Sequence, residues 1–160
     1  MLTCGCWGDP HCHTFDDAKF DFMGACKYDL VSTDCFGSQL PAGLVPFNVR
    51  QRQEKRPRRN GVSFIQYVEV NVYGNQYRLM KRQKGSNIPS LSINGLPSYQ
   101  PLSDKGIRVY KAGRNLIFSA DFGLTITWDG RHRAEVALCD AYAKFTCGLC
   151  GNADGKYLNK

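Results

Sequence analysis

The sequence predicts an all-β domain: a sandwich or barrel of mostly antiparallel strands, stapled by disulfides. Short runs rich in β-branched and aromatic residues recur through the middle of the chain, separated by Gly, Asn and Asp turn signals. Helical periodicity is scarce. Eight cysteines stand towards the two ends: Cys4, Cys6, Cys12, Cys26 and Cys35, then Cys139, Cys147 and Cys150. An even number placed in this way suggests chain ends joined in an oxidising compartment. Spacing alone does not decide which cysteines pair.

The N-terminal third is the least regular part, with Phe20-Asp21-Phe22 and Lys27–Val31 as candidate strands. From Val62 to Tyr73 the alternation is plain: Val68, Val70 and Val72 alternate with Glu69 and Asn71, the period of a half-buried strand. Gly74-Asn75 turns the chain into Gln76–Met80 as a hairpin. Leu91 and Ile93 alternate up to a turn at Asn94-Gly95. Ile107–Val109 and Leu116–Ala120 flank a third turn at Ala112–Asn115. Leu124, Ile126 and Trp128 alternate with Thr125 and Thr127, and Asp129-Gly130 leads into Val136 and Leu138. No internal repeat is visible.

A length of 160 residues suits one domain. No apolar run approaches the roughly 18 residues of a membrane helix. Met1-Leu2-Thr3-Cys4 lacks the character of a signal peptide, and Tyr157–Lys160 reads as a cut. The expectation is a single module, residues 1–160, excised from a larger secreted protein. The net charge of +7 reads first as solubility, and second as attraction to acidic polymers such as sulfated glycans. Nucleic acid is not the expected partner. The charge concentrates in Arg50–Arg59, whose second half, with Pro57 and Asn60-Gly61, reads as an exposed loop. Within it Arg56, Arg58 and Arg59 fit the pattern that secretory convertases cleave, and equally suit a glycan site.

Two segments carry the chemistry. Gly8-Asp9-Pro10-His11-Cys12-His13-Thr14-Phe15-Asp16 offers thiols and imidazoles, and Cys147-Gly148-Leu149-Cys150 is a CxxC. Zinc is a weak reading, because Cys4-Gly5-Cys6 lacks ligand spacing. Thiol redox chemistry lacks a βαβ context. No Gly-x-Ser-x-Gly elbow is present, and three histidines offer little for hydrolysis, so no enzymatic activity is expected.

GDPHCHTFDD, GACKYDL, DFGLTITWDG and CGLCGNADG, in that order, closely resemble the von Willebrand factor type D domain. The resemblance runs from about Cys4 to Asn159 and implies a β-sandwich with a calcium-binding loop near its C-terminal end. It implies a Ca²⁺ site made of Asp16, Asn152, Asp154, the Lys156 carbonyl and Asn159, all hard oxygen donors. Two departures stand out: Asp17 replaces the family's glycine, and Lys160 its last acid. The resemblance also implies Cys4–Cys150 and Cys35–Cys147 disulfides. The remaining cysteines are assigned as Cys12–Cys139 and Cys6–Cys26, which leaves no free thiol, although in some relatives the counterpart of Cys26 pairs outside the domain. In some relatives the Asp9-Pro10 bond breaks itself in mild acid; here an uncleaved strand entry is expected at neutral pH. The implied function is a secreted, extracellular structural or adhesive module. Its expected partners are other extracellular proteins or neighbouring cysteine-rich modules, with acidic glycans through Arg50–Arg59 as the alternative.

Overall fold

The structure is a computed structural model and describes residues 1–55, 62–82, 85 and 89–155. Fourteen strands are numbered along the chain. They are β1 (Leu2–Trp7), β2 (His11–His13), β3 (Lys19–Asp21), β4 (Lys27–Ser32), β5 (Phe47–Lys55), β6 (Ser63–Val72), β7 (Asn75–Arg82) and β8 (Pro89–Ile93). The rest are β9 (Leu96–Ser98), β10 (Leu102–Asp104), β11 (Ile107–Ala112), β12 (Asn115–Ala120), β13 (Leu124–Trp128) and β14 (Ala134–Leu138). They form two antiparallel sheets. One has eight strands in the order β10-β11-β12-β13-β14-β1-β2-β3, and the other six in the order β4-β5-β6-β7-β8-β9.

Alternation along the strands creates the core. Val68, Val70 and Val72 of one sheet, and Leu124, Ile126 and Trp128 of the other, are buried while their neighbours turn outward. Tyr77 meets Phe118 edge-on, with ring centroids 5.1 Å apart, linking the two sheets. Trp128 is fully buried, and its indole N–H donates to the Met80 carbonyl at 2.9 Å, a second link.

Two sequence expectations change here. The N-terminal segment supplies two strands that the pattern did not announce, β1 and β2, and β1 is central because it pairs with β14. The basic stretch is not a loop from its start: Arg50–Lys55 continues β5, paired with β6 as far as Lys55↔Ser63. Arg56, Arg58 and Arg59 lie outside the described residues.

Glu69 departs from simple alternation. It points away from the apolar core yet is only 1% exposed. Lys27 donates to it at 3.0 Å and Arg78 at 2.9 Å, and Asn71 reaches its other oxygen at 3.2 Å. Burial works against its charge, but these donors outweigh it and lower the pKa.

Candidate metal centre

The chain reverses immediately after β2. Thr14, fully buried, accepts at Oγ1 from the N–H groups of Asp16 (3.2 Å) and Ala18 (3.1 Å). Its own N–H donates to the Ala18 carbonyl at 2.9 Å. The turn requires a left-handed residue at position 17, where φ is 63°. That explains the departure from the family pattern: the conformation suits glycine, and Asp is among the few other residues that visit it readily.

The Phe15 N–H donates to the Cys150 carbonyl at 2.9 Å. A Cys4–Cys150 disulfide joins β1 to the same segment. The segment is also held from the other sheet, since the N–H groups of Leu149 and Cys150 donate to the Asp29 and Leu30 carbonyls. This approach is close enough to demand glycine at 148. Its φ is +112°, and a Cβ there would stand 2.8 Å from the carbonyl oxygens of both Asp29 and Leu30.

Asp16 therefore comes to lie beside residues 152–155. Its Oδ1 accepts from the Gly155 N–H at 3.0 Å, and the Asn152 amide stands 3.5 Å from Asp154 Oδ2. Two oxygens of the set, Asp16 Oδ2 and Asn152 Oδ1, are buried and accept no hydrogen bond from any described residue. A buried carboxylate oxygen without a donor is costly, and a hard cation removes that cost. The residues present thus fit calcium. Among the described residues no three His, Cys, Asp or Glu side chains cluster for a metal; this set is two carboxylates and an amide. The expected Lys156 carbonyl and Asn159 lie outside the described residues.

The disulfides are Cys4–Cys150, Cys35–Cys147 and Cys6–Cys12. The expected Cys12–Cys139 and Cys6–Cys26 pairs are not formed, and Cys26 and Cys139 are free thiols. Register explains the correction. Cys6 and Cys12 are direct partners across β1 and β2, with Cα atoms 4.1 Å apart. Cys139 follows Leu138, which pairs with Leu2 at the opposite end of β1 from Cys6. Four or five strand residues separate them, roughly 15 Å, against the ~7 Å that a bridge spans. Cys26 leads into β4 in the other sheet and is exposed.

His11 is bracketed by carboxylates: its Nε2 lies 2.8 Å from Asp9 and its Nδ1 2.7 Å from Asp21. The Asp21 contact leads in raising its pKa, against a smaller effect of desolvation. Asp9, the residue of the labile-bond expectation, is therefore engaged by the histidine two positions on.

Sequence reasoning missed one feature. Arg82, Arg114, Arg131 and Arg133 line a cavity of about 490 Å³. They come from three separate turns or strand ends, so no motif announces them.

Fold and site define a class: a two-sheet β-sandwich whose disulfide-tied N- and C-terminal segments bring Asp16 beside residues 152–155. The chain belongs to the von Willebrand factor type D domain family, which matches residues 4–160. It is 38% identical to human IgGFc-binding protein over 154 residues, covering 95% of this chain and 3% of that protein. Chicken alpha-tectorin is 38% identical over 151 residues (93% of this chain, 6% of that protein). Human zonadhesin is 33% identical over 158 residues (98% and 5%). The chain thus spans under a tenth of the length of these relatives.

Proposed function

We propose that this chain is a calcium-stabilised structural module of an extracellular, multidomain adhesive or matrix protein, and that it is not an enzyme. The observation that carries the metal is the pair of unpartnered buried oxygens, Asp16 Oδ2 and Asn152 Oδ1, on segments tied by the Gly155 N–H to Asp16 Oδ1 hydrogen bond. Asp16 and Asp154 supply the charge, and Asn152 supplies a neutral oxygen. Calcium here cross-links the β2–β3 turn to the C-terminal segment, parallel to the Cys4–Cys150 bond. Three disulfides support an oxidising, extracellular setting. The family, and relatives such as zonadhesin and alpha-tectorin, support assembly with other proteins. Exposed Cys26 offers a neighbouring module a thiol to bond.

Extracellular modules of this kind bind calcium at roughly 10⁻⁴–10⁻³ M. Calcium at about 1 mM then stabilises the fold by about 0.4–1.4 kcal/mol through mass action. The test is thermal melting with calcium or with chelator. Wild type should melt higher with calcium, and Asp16→Ala and Asp154→Ala should lose the difference. Equal melting of wild type under both conditions refutes the reading.

A further inference from the structure

We propose that the arginine cavity at the end of the sandwich binds the sulfate ester of an acidic glycan. It lies where the sheets meet: the Arg82 N–H, at the end of β7, donates to the Gly130 carbonyl in the β13–β14 turn at 3.0 Å. Arg82 Nη2 donates to the Arg114 carbonyl in the β11–β12 turn at 3.0 Å. The β1–β2 turn closes on the same end, the Gly8 N–H meeting His132 Nδ1 at 3.3 Å. The calcium pocket follows β2 at its other end, so the two sites are separate.

The charge balance favours an anion. Four guanidinium groups line the cavity against two carboxylates, Asp129 and Glu135. Both carboxylates are already engaged. Asp129 Oδ1 accepts from the backbone N–H groups of residues 131, 132 and 133 at 2.8, 2.9 and 3.0 Å. Glu135 holds Arg133, with Nε at 3.0 Å. Arg82 Nε is buried, and no described residue accepts its hydrogen bond. Arg114, Arg131 and Arg133 are exposed around it, and a guanidinium fork matches the oxygens of a sulfate. The Asp129 contacts also fix the turn that presents Arg131, so its ordering precedes binding.

The shape and chemistry of the walls favour a sugar over an acidic peptide. A volume of about 490 Å³ falls in the range of small-ligand sites. No Ala, Val, Leu, Ile, Met, Phe, Tyr or Trp is among its described lining residues. A peptide's apolar side chains find nothing to bury against, whereas Asn115, Thr127 and His132 offer partners for hydroxyls.

The test is an NMR titration of the oxidised chain with N-acetylglucosamine 6-sulfate, unsulfated N-acetylglucosamine, inorganic sulfate and oligoglutamate. The sulfated sugar should shift amides of residues 113–115 and 127–133, and unsulfated sugar should not. Arg114→Ala/Arg131→Ala should weaken binding at least about tenfold, as expected for charge-assisted bonds, with the melting temperature unchanged. Arg56→Ala/Arg58→Ala/Arg59→Ala should bind like wild type. The proposal is overturned by shifts confined to residues 50–59 or by an unaffected Arg114→Ala/Arg131→Ala variant. It is equally overturned if inorganic sulfate binds as tightly as the sulfated sugar, or if oligoglutamate binds and the sugar does not. The calcium response is read separately, so failure here leaves that reading standing.

Discussion

Position 17 shows how a single backbone angle shapes the turn that carries Asp16. With φ at 63°, the residue after Asp16 sits where most side chains clash with their own backbone. Asp17→Gly should therefore match or exceed wild-type stability, and Asp17→Val should cost about 1–2 kcal/mol; urea melts of both variants check this, and a tolerated valine contradicts it. Gly148 is stricter, because the obstruction is two backbone carbonyls rather than a movable side chain. Gly148→Ala should lose roughly 2 kcal/mol or more and blunt the calcium response, since it displaces the segment that carries Asn152 and Asp154. At His11 the raised pKa sets a pH dependence. Its contribution is fully present below the unfolded value of 6.5 and is lost as pH rises through the higher folded value. The melting difference between wild type and His11→Gln should be widest in mild acid and close towards alkaline pH. A difference that grows with pH contradicts the bracket of Asp9 and Asp21.

At the scale of elements, the strands most legible in sequence were those that bury one face. The alternation of β6, β12, β13 and β14 could be read directly, because each faces the other sheet. β1 and β2 escaped notice because their buried residues are cysteines and a glycine, whose spacing reads as motif rather than as strand. The same blindness misassigned the disulfides: pairing Cys6 with Cys12 requires the β1–β2 register, which no spacing rule contains. The cations around Glu69 were likewise invisible, since Lys27, Glu69 and Arg78 lie on three strands. Glu69→Gln leaves two cations facing a neutral amide and should cost roughly 1–3 kcal/mol. Because the Glu69 pKa is lowered, that cost should be present above the unfolded value of 4.5 and fade as pH falls through the folded one. Denaturant melts across this range check it, and a cost that persists unchanged into strong acid contradicts it.

At the scale of the whole molecule, the termini are the structural problem that the cysteines solve. Cys4–Cys150 closes 146 residues and Cys35–Cys147 closes 112, whereas Cys6–Cys12 closes six. Chain entropy assigns the longest loop about 5 kcal/mol and the shortest about 2. Replacing Cys4 and Cys150 together by Ala should therefore cost clearly more than replacing Cys6 and Cys12. The motifs named Asp16, Asn152 and Asp154 by resemblance, and the fold shows what brings Asp16 beside residues 152–155: a turn anchored by Thr14, the Phe15–Cys150 backbone bond and a disulfide. Whether Asp16, Asn152 and Asp154 hold calcium is tested most directly by counting bound ions. Native mass spectrometry at millimolar calcium should show a one-calcium species on the wild-type chain well above the level seen on Asp16→Ala/Asp154→Ala. A wild-type chain that carries no more calcium than this variant would contradict the account.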